Sequence, residues 1–209
     1  MATRTNTTKD LKDIFEKYRY DRDIADKSQA WFNQQVLLLA KKRITPNQVI
    51  RSQAVRTQNN IVPGKLYMFF YDPKTKATLP YYDRFPLVFP FSFHDDGFTG
   101  LNLHYLPHKL RFALIDRLLM FKNNDKFDET TRIRYSWATI DGMSKFAMAK
   151  PCVKRYLSNH LRSPLHTVSA NDWSTAMMLP VERFVGASTA QVWADSRKKI
   201  WKLATLLRK

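Results

Sequence analysis

Apolar residues recur every three to four positions in both ends of the chain, whereas the middle consists of short aromatic runs. The helical spacing predicts helices over residues 8–19 and 23–42, because residues three and four apart share one helix face. Thr45 followed by Pro46 predicts an N-cap and a first helical residue, for a short helix to about Ser52. The later predicted helices lie at 108–121, 129–146 (as one helix or two), 151–163, 169–179 and 188–209.

The three aromatic runs between residues 63 and 106 have the composition of β-strands. Pro86 and Pro90 in the second run fit only an edge or bulged position, because proline cannot donate to a strand ladder. The turn residues HDDG separate the second run from the third, which predicts a hairpin. A further short strand is predicted at 165–168, and the polar segment 52–62 is predicted to be a loop.

These elements predict an α+β fold, with a small antiparallel, aromatic-rich sheet or partial barrel at about residues 63–106. N-terminal and C-terminal helices flank it. The predicted parts are a basic helical arm at 1–62, a neutral β module at 63–107 and a basic helical region at 108–209 packed on the module. From about residue 30 onward we expect one compact domain, which a chain of 209 residues is long enough to form.

Charge follows the same division. The net charge is +17, from 35 Lys+Arg and 18 Asp+Glu. Residues 1–62 carry 12 basic and 6 acidic groups, residues 63–107 carry 4 of each, and residues 108–168 carry 12 and 5. With a sequence pI of about 10.1, the chain is expected to meet a polyanion or an acidic neighbouring protein. The single cysteine, Cys152, allows no intramolecular disulfide, and we expect neither a secretory signal nor a membrane span.

Residues arranged for catalysis are not found in the sequence. It has no glycine-rich phosphate loop and no HExxH motif. Asp72 and Asp83 are the pair closest to a nuclease-type magnesium site, but they lie in a turn-rich stretch where structural roles are favoured. We therefore predict a protein that is not an enzyme, with no catalytic residues, no metal and no cofactor.

Basic residues are the candidates for contact with a nucleic acid or another polyanion. Two long stretches, 27–71 and 142–171, contain no carboxylate, and a further basic cluster lies near the C-terminus. Phosphate contacts made by such residues give affinity without sequence readout. The alternative is that they are solvated helix faces or pack against acidic subunits. The candidates are Lys41, Lys42, Arg43, Arg51, Arg56, Lys154, Arg155, Arg162, Arg197, Lys198, Lys199 and Lys202.

The aromatic residues of the central module have three possible roles. They could form a stacking platform for unpaired bases, but the zero net charge of the module weakens that hypothesis. Core packing and protein docking are favoured instead. The docking candidates are Tyr81, Tyr82, Phe85 and Phe89.

Four stretches of the chain resemble a known family. They are PGKLYMFFYDPKTKATLPYYDRFPLVFPF, GFTGLNLHYLPHKLR, KPCVKRYL and MMLPVERFVGASTAQVWADS. Together they resemble a virion-assembly protein of T-even-type tailed phages, in the DNA end protector (head-completion) family. The resemblance covers roughly residues 30–200, and a baseplate-hub or neck protein of the same phages is the alternative. No catalytic residue is carried over from it.

The resemblance implies a virion component that is present in the host cytoplasm during assembly. We predict a structural protein at the head–tail junction or tail, which contacts the ends of genomic double-stranded DNA through phosphate, without sequence specificity. Other virion proteins are the further expected partners, with several copies in a symmetric assembly. The alternative is a baseplate or tail subunit whose basic faces bind acidic neighbours, with no DNA role.

Overall fold

The computed structural model describes residues 45–50, 55–58, 60–108, 111, 147–169 and 173–206. Within these ranges there are three α-helices, eight strands and short 3-10 turns. The helices are α1 (Pro46–Ile50), α2 (Trp173–Met178) and α3 (Thr189–Leu206). The strands are β1 (Val55–Gln58), β2 (Leu66–Met68), β3 (Tyr82–Asp83), β4 (Leu87–His94), β5 (Gly97–Asn102), β6 (Val153–Leu157), β7 (Leu165–Val168) and β8 (Phe184–Val185).

Six strands form one antiparallel sheet in the order β1-β7-β2-β4-β5-β6. Strands β3 and β8 pair separately as a two-stranded sheet. Because β1 and β6 are the two edges of the larger sheet, the described strands form an open sheet and not a closed barrel. The predicted α+β class with an antiparallel, aromatic-rich sheet is therefore confirmed.

The two faces of the sheet bury different clusters, since successive side chains on a strand point to opposite sides. Leu66 and Met68 of β2 lie in the larger cluster, which also takes one or more side chains from each helix. Those helix residues include Val49 of α1, Trp173 of α2 and Val192 of α3. The larger cluster therefore joins the sheet to all three described helices.

The second cluster lies on the opposite face and is mainly aromatic. Tyr67 of β2, which stands between Leu66 and Met68 in the sequence, belongs to this second cluster, and so does Phe69. The rings of Phe98 and Tyr156 stack with their centroids 5.3 Å apart, and Phe69 meets each of them edge to face. Such pairs add to the free energy gained from burial, by about 1 kcal/mol each. Part of the aromatic content of the neutral centre is thus explained by packing.

The predicted N-cap at Thr45 is confirmed, and the helix predicted to start at Ser188 also begins with a capping residue. The Thr45 amide donates to Gln48 Oε1 at 2.7 Å, and the Gln48 amide donates to Thr45 Oγ1 at 3.3 Å. Ser188 and Gln191 repeat the arrangement at the start of α3, with distances of 2.8 and 3.3 Å. This reciprocal capping box satisfies amides that have no partner inside the helix.

The three central strands and the strand at 165–168 are also confirmed. Pro90 lies where the β4–β5 register shifts, between Pro90 and Ser92, as expected for a proline at a bulge. The predicted helix at 188–209 is confirmed as far as Leu206, where the description of α3 ends.

Two local predictions are wrong. The segment 52–62 contains strand β1, which pairs with β7 in a register that sets Val55 opposite Val168. The predicted helix at 151–163 is strand β6 followed by a 3-10 turn at Ser158–His160. In β6, Tyr156 lies opposite Phe98 and is 3% exposed. Pairing with a strand far away in sequence outweighs the local helical spacing in this segment.

The predicted helix at 169–179 is confirmed over Trp173–Met178. The remaining helix predictions lie outside the described residues. They are 8–19, 23–42, 108–121 apart from His108 and Arg111, and 129–146. The division into arm, β module and basic region stays a prediction. Among the described helices, none has the length and apolarity that a membrane span requires.

Candidate nucleic-acid interface

Helix α3 presents the largest set of exposed candidate cations in the described part of the chain. Its inner side is fixed in the core, where Val192 is 0% and Ser196 is 1% exposed. Arg197, Lys198, Lys199 and Lys202 are all exposed. None of these four forms an ion pair with another described residue. Within the described part of the chain, no carboxylate neutralises their charges.

A buried hydrogen-bonded network holds α3 in place. Trp193 Nε1 donates to the carbonyl oxygen of His104 at 2.9 Å, and an amino group of Arg111 donates to the same oxygen at 3.1 Å. His104 Nδ1 lies 2.7 Å from Asp83 Oδ2. Arg111 is fully buried and also pairs with Glu182. Because buried polar groups are costly when unpaired, this network fixes the orientation of the helix.

The carboxylates in this network stay charged. Burial alone would raise the pKa of Asp83, but the charge of His104 and hydrogen bonds from His104, Phe85 and Asn102 hold it below its usual range. Burial likewise opposes ionisation of Glu182, and the Arg111 guanidinium lowers the pKa of that carboxyl below its ordinary value. Two of the acidic groups in the sequence are thus committed to the interior.

Lys154 of β6 adds a cation beside α3. Its Nζ atom lies 3.9 Å from the ring centroid of Tyr105, a cation–π contact. Burial lowers the pKa of Lys154 to about 8, and the nearby charge of Lys199 adds to this effect. Lys199 is therefore close enough for its charge to act on Lys154.

Arg155 and Arg162 are already paired with carboxylates at the surface. Arg155 forms an ion pair with Asp96, and an amino group of Arg162 lies 3.6 Å from Asp72. A hydrogen bond from Lys76 is the largest influence lowering the pKa of Asp72. The residues Lys154, Arg155 and Arg162 were predicted to lie along one helix, but β6 is a strand, on which Lys154 and Arg155 point to opposite faces.

The other candidate cations are not gathered with these. Arg56 lies in β1 opposite Thr167, and its side chain is not described. Lys41, Lys42, Arg43 and Arg51 lie outside the described residues. Their contact with a polyanion stays a prediction.

The aromatic docking candidates divide into two pairs. Phe85 and Phe89 are 0% exposed, with ring centroids 4.9 Å from Phe70 and 5.0 Å from Trp173, respectively. Their assignment to a docking surface is corrected, because they are core residues. Tyr81 and Tyr82 are half-buried and keep part of their rings at the surface.

Trp201 is the surface residue that the sequence prediction missed. It lies on α3 among the basic residues and is 74% exposed. The signal was present in the sequence, because Trp201 falls outside the apolar stripe formed by Val192, Ile200, Leu203 and Leu207. A tryptophan outside the buried stripe of an amphipathic helix is expected to face solvent.

The described residues offer little to reaction chemistry. No group of three or more metal-binding side chains occurs among them. Asp83 is occupied by the buried network, and Asp72 by its surface ion pairs. Burial raises the pKa of the Cys152 thiol to about 12, so this side chain is not a thiolate at neutral pH.

An open antiparallel sheet with a docked helix that carries exposed cations places the chain among basic α+β proteins. A family model described as Phage T4 terminal DNA protecting protein matches residues 8–203. Because the match spans most of the 209 residues, the chain belongs to this family. This confirms the resemblance to the DNA end protector family. No curated protein and no solved structure matches the chain.

Proposed function

We propose that this protein is a non-enzymatic virion component that binds and shields the ends of a linear phage genome. The observation that carries the proposal is the set of exposed cations on α3, none of which pairs with a carboxylate among the described residues, in a chain that belongs to a family named for protecting terminal DNA. The contacts are to phosphate and carry no sequence readout. The protein acts at the head–tail junction or tail, in several copies, after synthesis in the host cytoplasm.

The contact surface consists first of α3, with Arg197, Lys198 and Lys202 exposed along it. Lys199 and the neighbouring Lys154 extend it to β6. Arg155 and Arg162 contribute less, because each would exchange a carboxylate of its own chain for a phosphate. The candidates between Lys41 and Arg56 supply a further contact outside this surface.

A salt titration tests the proposal. Filter binding of a short linear duplex is measured between about 50 and 200 mM salt, with a covalently closed circle of the same sequence as competitor. We expect the logarithm of the binding constant to fall linearly with the logarithm of salt concentration, and the linear duplex to bind more tightly than the circle. A flat plot, or equal binding of the two DNAs, would contradict end binding.

The alternative is a tail or baseplate subunit whose basic faces meet acidic proteins. Arg155–Asp96 and Arg162–Asp72 favour it, because they show that cations of this chain accept carboxylate partners at the surface. It requires binding of a purified virion subunit at physiological salt, together with no detectable binding of linear DNA. Both results in one preparation would replace the DNA hypothesis.

A further inference from the structure

Trp201 is exposed on the side of α3 that faces away from the protein. Val192 is 0% exposed and marks the inner side of the helix. At about 100° per residue, Trp201 lies about 180° around the helix axis from Val192. Its indole is 74% exposed, more than any other large apolar side chain among the described residues. The ring therefore has little packing contact with the described part of the chain.

The side chains around Trp201 are cationic. Arg197 and Lys198 precede it by four and three residues, and so lie on the same side of the helix. Lys202 follows directly. Among the described residues none of the three has a carboxylate partner. The single carboxylate within α3, Asp195, is turned to Tyr81, where burial and this carboxylate raise the pKa of the tyrosine.

A partner for this surface needs a flat apolar face with negative charges beside it. Along the interior of a duplex no π-face is exposed, because each base pair is covered by its neighbours, and only base edges and the backbone are accessible. At the end of a duplex the last base pair exposes one π-face, with phosphates close by. Aromatic stacking together with cations along the backbone is the combination by which proteins hold bases that are not covered by a neighbour.

We propose that Trp201 stacks on the terminal base pair of the duplex, while Arg197 and Lys198 hold phosphates of the last nucleotides. The proposal rests on the proposed function, and it explains why the protein would bind the end of a duplex more tightly than its interior. A protein bound in this way occupies the position from which an exonuclease would engage the terminus.

Two DNAs of the same sequence separate stacking from phosphate contact. One is a blunt linear duplex, and the other is closed by a hairpin loop at each end, so that no terminal base pair is open. We expect wild-type protein to bind the blunt duplex about tenfold more tightly than the closed one, as one stacked base pair would provide. Trp201→Ala loses this ratio and keeps its affinity for the closed duplex, whereas Trp201→Phe keeps most of the ratio.

Leu206→Ala is the matched control, because Leu206 is an apolar side chain of the same helix and is 61% exposed. It leaves the ratio unchanged, and the thermal midpoints of both alanine variants match the wild type. A Trp201→Ala protein that keeps the ratio overturns the stacking proposal and leaves the proposed function standing. The same conclusion follows if Trp201→Ala binds both DNAs like the wild type and loses only the binding of an acidic virion protein. A wild-type protein that binds neither DNA contradicts the proposed function and the stacking proposal with it.

Discussion

The two cations that lie one turn before Trp201 give the most quantitative prediction. Arg197→Ala and Lys198→Ala together remove two exposed charges from α3. Each phosphate contact contributes about 0.9 to the slope of log K against log salt, so the slope should decrease in magnitude by about 1.8. Alanine favours the helical conformation, so α3 should stay folded.

A second pair of lysines provides the control. Lys74→Ala and Lys76→Ala remove the same total charge from the turn after Asp72, where Lys76 lies 3.0 Å from the Asp72 carboxylate. Filter binding of blunt duplex DNA over a range of salt concentrations gives the slope for each protein. We expect the control slope to equal that of the wild type. An unchanged slope for the α3 pair, or an equal decrease for the two pairs, would refute the assignment of phosphate contacts to α3.

Three further predictions concern the fold that holds α3. Asp83→Asn removes the carboxylate charge that lies 2.7 Å from His104 Nδ1. The free energy of unfolding in urea should fall by roughly 3 kcal/mol, because a buried pair loses one partner. A loss below about 1 kcal/mol would contradict a stabilising role of the buried network. Burial lowers the pKa of His108 to about 3. As the pH falls below about 6.5, His108 is therefore protonated in the unfolded state but stays neutral in the folded state, which favours unfolding. Between pH 6 and 4 the free energy of unfolding of the wild type should therefore fall, relative to that of His108→Gln, by up to about 1.4 kcal/mol per pH unit. If urea unfolding gives the same pH dependence for both proteins, the prediction is wrong. Gly97→Ala would place a Cβ 2.0 Å from the Tyr156 carbonyl oxygen. We expect this clash to cost about 1–3 kcal/mol of stability and so to lower the thermal midpoint. An unchanged midpoint would contradict the close approach.

The parts of the fold that depend on neighbouring residues could be predicted from the sequence. The capping boxes at Thr45 and Ser188 use side chains three residues apart, so both helix starts are visible in the sequence. Strand β6 is different, because its ladder partner is β5 and the two are separated by many residues. Read locally, the apolar spacing after Pro151 fits a helix, and only the pairing decides for a strand.

The same separation limited the prediction of the site. Counting charges treats every arginine alike, whereas Arg111 is buried against Glu182, 71 residues away. Arg155 is paired with Asp96 across 59 residues. The α3 cations could be predicted because helix periodicity alone assigns a residue to the buried or the exposed side. Which distant arginines are neutralised depends on tertiary contacts that no local pattern contains.

Protection of DNA ends against nucleases tests the central claim most directly. A linear duplex saturated with the protein is incubated either with an exonuclease, which must start at an end, or with an endonuclease that cuts at an internal site. We predict a strong decrease in the rate of exonuclease digestion, with the rate of internal cleavage unchanged. Equal protection from both enzymes would indicate general coating of DNA, and no protection from the exonuclease would contradict the proposed function.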